Sequence, residues 1–335
     1  MKSSHTQKWL IGLLMAGLVY GAFWLVTAHT VRARAEQWAK DQEARGLIIT
    51  AGEPALAGFP TRIAVTFPNL RLRAQGWSWE AEDVTVAVTP LSLTHPIVDV
   101  SGRHTATGFT ENPLTLSVKH GDVTWNGEDL ALHLANLDAD IGSSPFGADT
   151  VTATFTPIAA AATSPAPTLR AQIAVTNLAL ADAPAPLAHT IPKLDLTAEL
   201  DGTLARGTLT HVLESWRDAG GDVELRAIAV DWPPLSLNGS GTLALDKALQ
   251  PMGAFTAKCR GFLETLDALV KSGHVQENEA AVVRGLLVLM AKTSTPDAAP
   301  EIDLSVTVQD RKVTAGPVTF MELPTIDWRK DFLVP

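Results

Sequence analysis

The sequence predicts a mainly β protein: an N-terminal transmembrane helix, then a large antiparallel, curved β-sheet body with a few short helices. Three observations predict it. Residues 9–28 are 20 consecutive residues without a charge. After residue 46, apolar and polar residues alternate through most of the chain. Turn residues punctuate that alternation at short intervals.

Composition narrows the alternatives. The 335 residues are 46% hydrophobic and 19% charged, enough for a sizeable core and too apolar for wholesale disorder. The chain has one long apolar run, which excludes a multi-span membrane protein. A single cysteine, Cys259, excludes an internal disulfide and any metal site built on several thiolates. With 26 Lys and Arg against 36 Asp and Glu the net charge is −10, so nucleic acid is not expected as a partner.

Residues 1–8 read as a short tail and 9–28 as the anchor, since at about 1.5 Å per residue the run covers roughly 30 Å, the hydrocarbon thickness of a bilayer. Trp9 and Trp24 stand near its ends as a partial interfacial belt. The alternative is a signal peptide cleaved after Ala28. Val26-Thr27-Ala28 is a poor cleavage site and the run is longer than such peptides carry, so a retained anchor is the expectation. Lys2 and Lys8 precede the run while Arg32, Arg34, Lys40 and Arg45 follow it, a count that alone opposes export. Long C-terminal domains translocate regardless of flanking charge, and Glu36, Asp41 and Glu43 dilute the positives, so the body is expected in the periplasm.

Residues 29–45 form a stalk: 30–45 (TVRARAEQWAKDQEAR) holds helix formers without Pro or Gly, and Gly46 stops it. The body, 46–335, then alternates with period two, as in Ile63-Ala-Val65-Thr-Phe67, Leu70-Arg-Leu72, Val84-Thr-Val86-Ala-Val88, Leu114-Thr-Leu116-Ser-Val118 and Leu130-Ala-Leu132-His-Leu134. The pattern continues in Val151 to Phe155, Ile173 to Val175, Leu194 to Leu200, Leu235-Ser-Leu237, Leu243-Ala-Leu245 and Ile302 to Val308. Turns are expected at Pro68-Asn69, Gly76, Pro90, Asn126-Gly127, Asp201-Gly202, Asn238-Gly239 and Gly316-Pro317. Helical periodicity returns only at 211–219, 263–271 and 277–292. Low-complexity stretches at 158–167 and 181–186 read as loops; a division of the body near 158–168 and one continuous sheet with a long loop are both compatible.

Chemical motifs are weak. Gly239-Ser-Gly241-Thr-Leu-Ala244 formally fits a dinucleotide fingerprint, but Leu243-Ala-Leu245 alternates as a strand instead of opening a helix, so a hairpin turn is the reading. His211-x-x-Glu214 is the nearest approach to a metal pair and has no third ligand. Asp138 with Asp140, and Glu80 with Glu82, read as outward strand faces. No nucleophile elbow, Walker loop or Cys/His constellation occurs, so neither an enzyme nor a cofactor nor a metal is expected. Cys259, between Lys258 and Arg260, reads as a small half-buried residue.

An antiparallel sheet can leave one face solvated, but something apolar must cover the other. The candidates for that apolar face are Ile63, Val65, Phe67, Val84, Val86, Leu114, Leu116, Leu243 and Leu245. A second sheet would make a closed sandwich; acyl chains would occupy an open groove. Both stay open.

Two segments are dense in unusual residues: Leu56-Ala-Gly58-Phe59-Pro60-Thr-Arg62 with Gly76-Trp77-Ser-Trp79, and Trp216 to Gly221 with Asp231-Trp232-Pro233-Pro234 and Gly239 to Asp246. Together with Gly253-Ala-Phe and Gly316-Pro317…Leu323-Pro324 they resemble the bacterial domain-of-unknown-function family 2125, whose chains carry one N-terminal anchor and no assigned activity. A strand-rich body hung from one helix also resembles the wider AsmA-like superfamily of envelope proteins. That resemblance implies a bacterial inner-membrane protein with membrane lipid as partner, held in an apolar trough of a curved sheet. The second expectation is a closed β-domain acting as a structural or interaction scaffold in the envelope. The family implies no catalytic residues.

Overall fold

The computed structural model describes residues 20–21, 23–27, 29–30, 32–33, 37–89, 92–110, 112–142, 144–158, 168–181, 187–273, 276–292, 300–315, 318–326, 328 and 333–334. The anchor run 9–28 lies mostly outside the described residues, and no described helix is long and apolar enough to cross a membrane. The described residues from 20 to 43 are helical, and Gly46, at φ 88°, turns the chain out of that helix.

The remainder is mainly β. The first strands are β1 (Ile48–Thr50), β2 (Ala55–Ala57), β3 (Ile63–Ala74), β4 (Trp77–Thr89), β5 (Ser92–Asp99), β6 (Gly102–Thr107), β7 (Leu114–Trp125) and β8 (Leu130–Ile141). Next come β9 (Ser144–Ile158), β10 (Thr168–Leu180), β11 (Thr190–Asp201), β12 (Gly207–Thr208), helix α1 (Leu209–Asp218), β13 (Asp222–Trp232), β14 (Leu235–Leu245) and β15 (Pro251–Arg260). Helices α2 (Phe262–Lys271) and α3 (Glu277–Met290) precede β16 (Glu301–Gln309), β17 (Lys312–Ala315), β18 (Val318–Glu322) and β19 (Leu333–Val334). All but β12 and β19 belong to one 17-stranded sheet; those two pair with each other.

The registered ladders are all antiparallel. From β1 and β2, both on β3, they pass through β4, a position shared by β5 and β6, then β7 to β11 and β13 to β18 in order. From β7 to β18, β12 aside, each strand pairs with the next along the chain, a meander whose closures cost little chain entropy. Residues 159–167 fall outside the described residues, and β9 and β10 on either side pair from Ile158–Thr168 to Phe146–Leu180, so the sheet runs on across them.

Two expected turns are strand interiors. Asn69 sits within β3 at φ 51°, and the β3–β4 register skips Asn69 and Glu82 together. Asn136 (φ 52°) and Asn177 (φ 49°) repeat the arrangement: the β7–β8, β8–β9, β9–β10 and β10–β11 registers skip Lys119, Asn136, Asp149, Asn177 and Pro192. Asn is the non-glycine residue that best tolerates the left-handed region, and Asn177 Nδ2 is fixed by Asp149 Oδ2 at 2.7 Å. Between these rows the position between β4 and β7 breaks into β5 and β6 at Val100–Ser101. The apolar set changes parity at this line, from Val65 and Phe67 to Leu70 and Leu72, and from Leu130, Leu132 and Leu134 to Leu137 and Ala139. Because partner strands slip together, the same face stays apolar on both sides.

The second expected turn, Gly239, lies inside β14, which runs unbroken from Leu235; the reversal before it is made by Pro233-Pro234. A Cβ at Gly241 would collide with the Phe255 ring and the Ala254 carbonyl, and one at Gly239 would stand 2.6 Å from Thr256 O. These glycines leave room for Phe255 to lie over the neighbouring strand, so their spacing serves packing, not a phosphate and not a turn.

The opposite face is polar. Thr66 and Thr85 hydroxyls pair at 2.8 Å, Thr150 and Thr176 at 2.6 Å. Glu199 takes Arg170 at 2.7 Å and Arg226 at 2.7 Å, and these guanidiniums hold its carboxyl below the usual carboxylate range. Asp222 is the reverse case. It lies directly opposite Asp201, and burial with that like charge pushes its carboxyl up. The stabilisation from Glu199 is therefore present at neutral pH and lost as pH falls through its depressed folded value, whereas Asp222 costs stability at neutral pH until it protonates. Asp222→Asn should raise the unfolding free energy from urea titration at neutral pH by about 0.5–1 kcal/mol, a gain that fades in acid, and Glu199→Gln should lower it by roughly 1–2 kcal/mol. Midpoints of both variants that move the same way at neutral pH would refute this assignment.

Candidate functional site

The apolar face is what the sheet presents to a partner. Ladder partners place Val65 opposite Val86 and Phe67 opposite Val84; further along, Val123 lies opposite Leu132, Ile173 opposite Leu196, Leu243 opposite Val223, and Phe255 opposite Val306. In a closed sandwich such residues would be buried. Instead Phe67, Val86, Leu114, Leu116, Leu243 and Leu245 are half-buried, and among the nine candidates only Ile63, Val65 and Val84 are buried. Among the described residues no second sheet covers this face.

What does cover it is local. Trp24 packs on Ile63 and Val88, donates Nε1–H to Arg62 O at 2.9 Å, and meets Phe59 edge to face at 5.6 Å. The Tyr20 hydroxyl donates to Pro60 O. Gly58, at φ 97°, makes the turn that brings Phe59 and Pro60 there; a Cβ would stand 2.6 Å from Arg62 Cγ. Farther along the chain, Trp38 and Ala39 roof an apolar cavity of about 450 Å³ whose floor is Phe67, Leu70, Val84 and Val86 and whose side is Ile49, Ala51, Gly52 and Pro54. Phe67 and Leu70 stand on opposite sides of the parity change yet line one cavity. That volume is within the usual range for a small-molecule site.

At the other flank, α1 sets Val212 and Trp216 on one side and buries both. Trp216 Nε1 donates to Asp201 O at 2.7 Å, and Gly202 and Gly221 lie under its ring. With Leu213, Leu204 and Trp328 it closes an apolar cavity of about 240 Å³ over Leu200, Val223, Leu243 and Leu245. Trp328 is held there by Leu249 O at 2.6 Å, and the Gln250 side chain clasps Ile326 through N–H and C=O at 2.8 and 3.0 Å. Helices α2 and α3 cover a third place, where Cys259, Phe262 and Ile302 are buried against Leu287, Ala291 and Leu304. Cys259 is more buried than expected, and burial pushes its thiol up, away from reactive thiolate.

The nine candidates therefore divide three ways. Phe67, Val84 and Val86 share the larger cavity, with Ile63 and Val65 packed beside it; Leu243 and Leu245 line the smaller one. Leu114 and Leu116 lie between, next to Ala106 and His104, outside both. His104 is the polar exception on this face: buried, stacked on Trp79 at 5.6 Å, with Nε2 on Val100 O at 2.7 Å. The residues not anticipated are Trp24, Trp38, Ile49 and Leu70. A tryptophan in an otherwise polar stalk was the available signal for Trp38. Asp138 and Asp140 stand two apart on β8, opposite Ser117 and Thr115 of β7; His211 and Glu214 are exposed on α1. Among the described residues no three His, Cys, Asp or Glu side chains converge as a metal site.

The fold and this face define a mainly β protein whose single antiparallel sheet carries an apolar surface across its strands, roofed only in patches. The chain belongs to the family described as an uncharacterized protein conserved in bacteria (DUF2125), whose model matches residues 24–324. No curated protein and no solved structure matches the chain.

Proposed function

We propose that this protein is held in the bacterial inner membrane by residues 9–28, with its body in the periplasm, and that its apolar sheet face binds membrane lipid or helps transfer it. The observation that carries the reading is the half-buried apolar face that no second layer covers, with the 450 Å³ cavity under Trp38 at one flank. Soluble monomers rarely leave so large an apolar surface to water, and acyl chains laid on it would gain about 25 cal/mol for each Å² removed from water. The likeness to AsmA-like envelope proteins supports a curved sheet used as a trough. The proposal involves no covalent chemistry, cofactor, metal or nucleic acid.

The body purified from membranes should carry phospholipid detectable by mass spectrometry. A photo-reactive residue replacing Val86, Leu116 or Leu243 should cross-link lipid in cells, whereas one replacing Thr85 or Thr115 on the polar face should not. Lipid-free protein without a cross-link at any of the three positions would leave the closed scaffold as the better account.

A further inference from the structure

Helix α3 has more apolar surface than the sheet covers. From Ala280 to Met290 it reads AAVVRGLLVLM, with Arg284 as its single charge, and a helix apolar on every side belongs in an interior. One side is covered: Ala280 is 0% exposed, and Leu287 and Ala291, further along the same side, pack against the buried Cys259, Phe262 and Ile302. The rest faces water. Val282 is 66% exposed and Leu289 82%, and Ala281, Val283, Val288 and Met290 are exposed with them.

Gly285 points to the kind of cover that fits. A glycine in the middle of a helix weakens it relative to alanine, and what it offers in return is close approach of another backbone. A Cβ at Gly285 would meet nothing within 4 Å, so among the described residues no neighbour needs that space. Ala281, one turn before, is also small, and Val288 and Leu289, one turn later, flank the same line. The result is a shallow groove between apolar ridges, the surface on which a second helix packs at close range.

Charge selects the helix that fills it. Glu277 opens α3 with its side chain 73% exposed, and Lys292, which holds Asp303 at 2.8 Å, follows the last turn with 75% of its side chain in water. A two-fold axis through Gly285 sets Ala281 of one copy against Leu289 of the other and the Glu277 end beside the Lys292 end, with the helix dipoles antiparallel. A bacterial lipid leaflet is a poorer match, because Glu277 and Glu279 bring like charge to its anionic headgroups.

We propose that the outer face of α3 is a self-association surface, on which a second copy of this chain lays its own α3 antiparallel, crossing at Gly285. The pairing is independent of the lipid reading. A single helix pair is at the small end of protein interfaces, so the dimer is reversible.

Full-length chains carrying Cys259→Ala test this. Chains with Ala281→Cys and chains with Leu289→Cys, tagged differently and co-expressed, should form the mixed disulfide when freshly lysed cells are oxidised, several-fold more than either forms with itself. Such a bond needs Cα atoms within about 7 Å, which an antiparallel pair grants to 281 with 289 and a parallel pair to 289 with 289. Gly285→Leu should turn the chain purified in mild detergent from dimer to monomer in sedimentation, with a urea midpoint no lower than that of the original chain, since the added side chain enters open space in the monomer and blocks the crossing in the pair. Disulfides confined to 289 with 289, no disulfide at all, or a dimer that survives Gly285→Leu would each overturn the proposal. So would strong quenching of a fluorophore on Leu289→Cys by nitroxide-bearing lipid in vesicles, which would give this face to the bilayer.

Discussion

Val65→Asp should unfold the body while Val86→Asp, its direct ladder partner, should leave it folded and empty. Val65 is 2% exposed, so a carboxylate there has neither water nor a counter-charge, and an uncompensated buried charge costs about 3–5 kcal/mol, most of the margin of many domains. Val86 is only half-buried and opens on the cavity below Trp38, where a carboxylate keeps part of its hydration. The expected outcome is a lost cooperative transition for Val65→Asp. For Val86→Asp a near-native midpoint is expected, with co-purified lipid strongly reduced. Equal and severe unfolding of both would mean that this part of the face is dry core, which is the forecast of a closed scaffold.

Trp216→Ala should be the most damaging truncation on the other flank. The indole is 5% exposed, bonded to Asp201 O, and laid over Gly202 and Gly221; removing such a side chain costs about 3–5 kcal/mol through lost burial and the cavity left behind. Gly221→Ala attacks the same contact from below. Its Cβ would overlap Trp216 Nε1 and Cδ1, and overpacking of this kind costs about 1–3 kcal/mol. The double variant should be less damaging than the sum, since removing the ring removes the atoms nearest to the added methyl group. Strict additivity in urea midpoints would show that Gly221 is required for a reason other than Trp216.

Much of the sheet was legible from residue order alone. The period-two segments from Ile63 to Val308 appear as strands, and the helices expected at 211–219, 263–271 and 277–292 appear as Leu209–Asp218, Phe262–Lys271 and Glu277–Met290. Alternation and helical periodicity are local properties of a chain that must bury one face, and tertiary packing has no reason to override them here. The mistaken turns share one cause. Pro68-Asn69 and Asn238-Gly239 carry turn residues, but the first supplies a left-handed residue to a parity change within β3, and the second clears space for Phe255 inside β14. Both roles depend on a neighbouring strand, and a local reading does not contain the neighbour.

The sequence by itself determined an uncharged run long enough to span a bilayer, a β-rich body and an apolar set on one face of its strands, because each follows from the spacing of residues along the chain. Only the tertiary structure decided that the strands join into one sheet across the undescribed residues 159–167, that Trp24 packs on that face and Trp38 roofs a cavity over it, and that Ile63 and Val65 are buried while Val86 and Leu116 are not. The reason is physical: periodicity says which side chains must leave water, whereas what receives them depends on elements far apart in sequence, and that is fixed only when those elements pack.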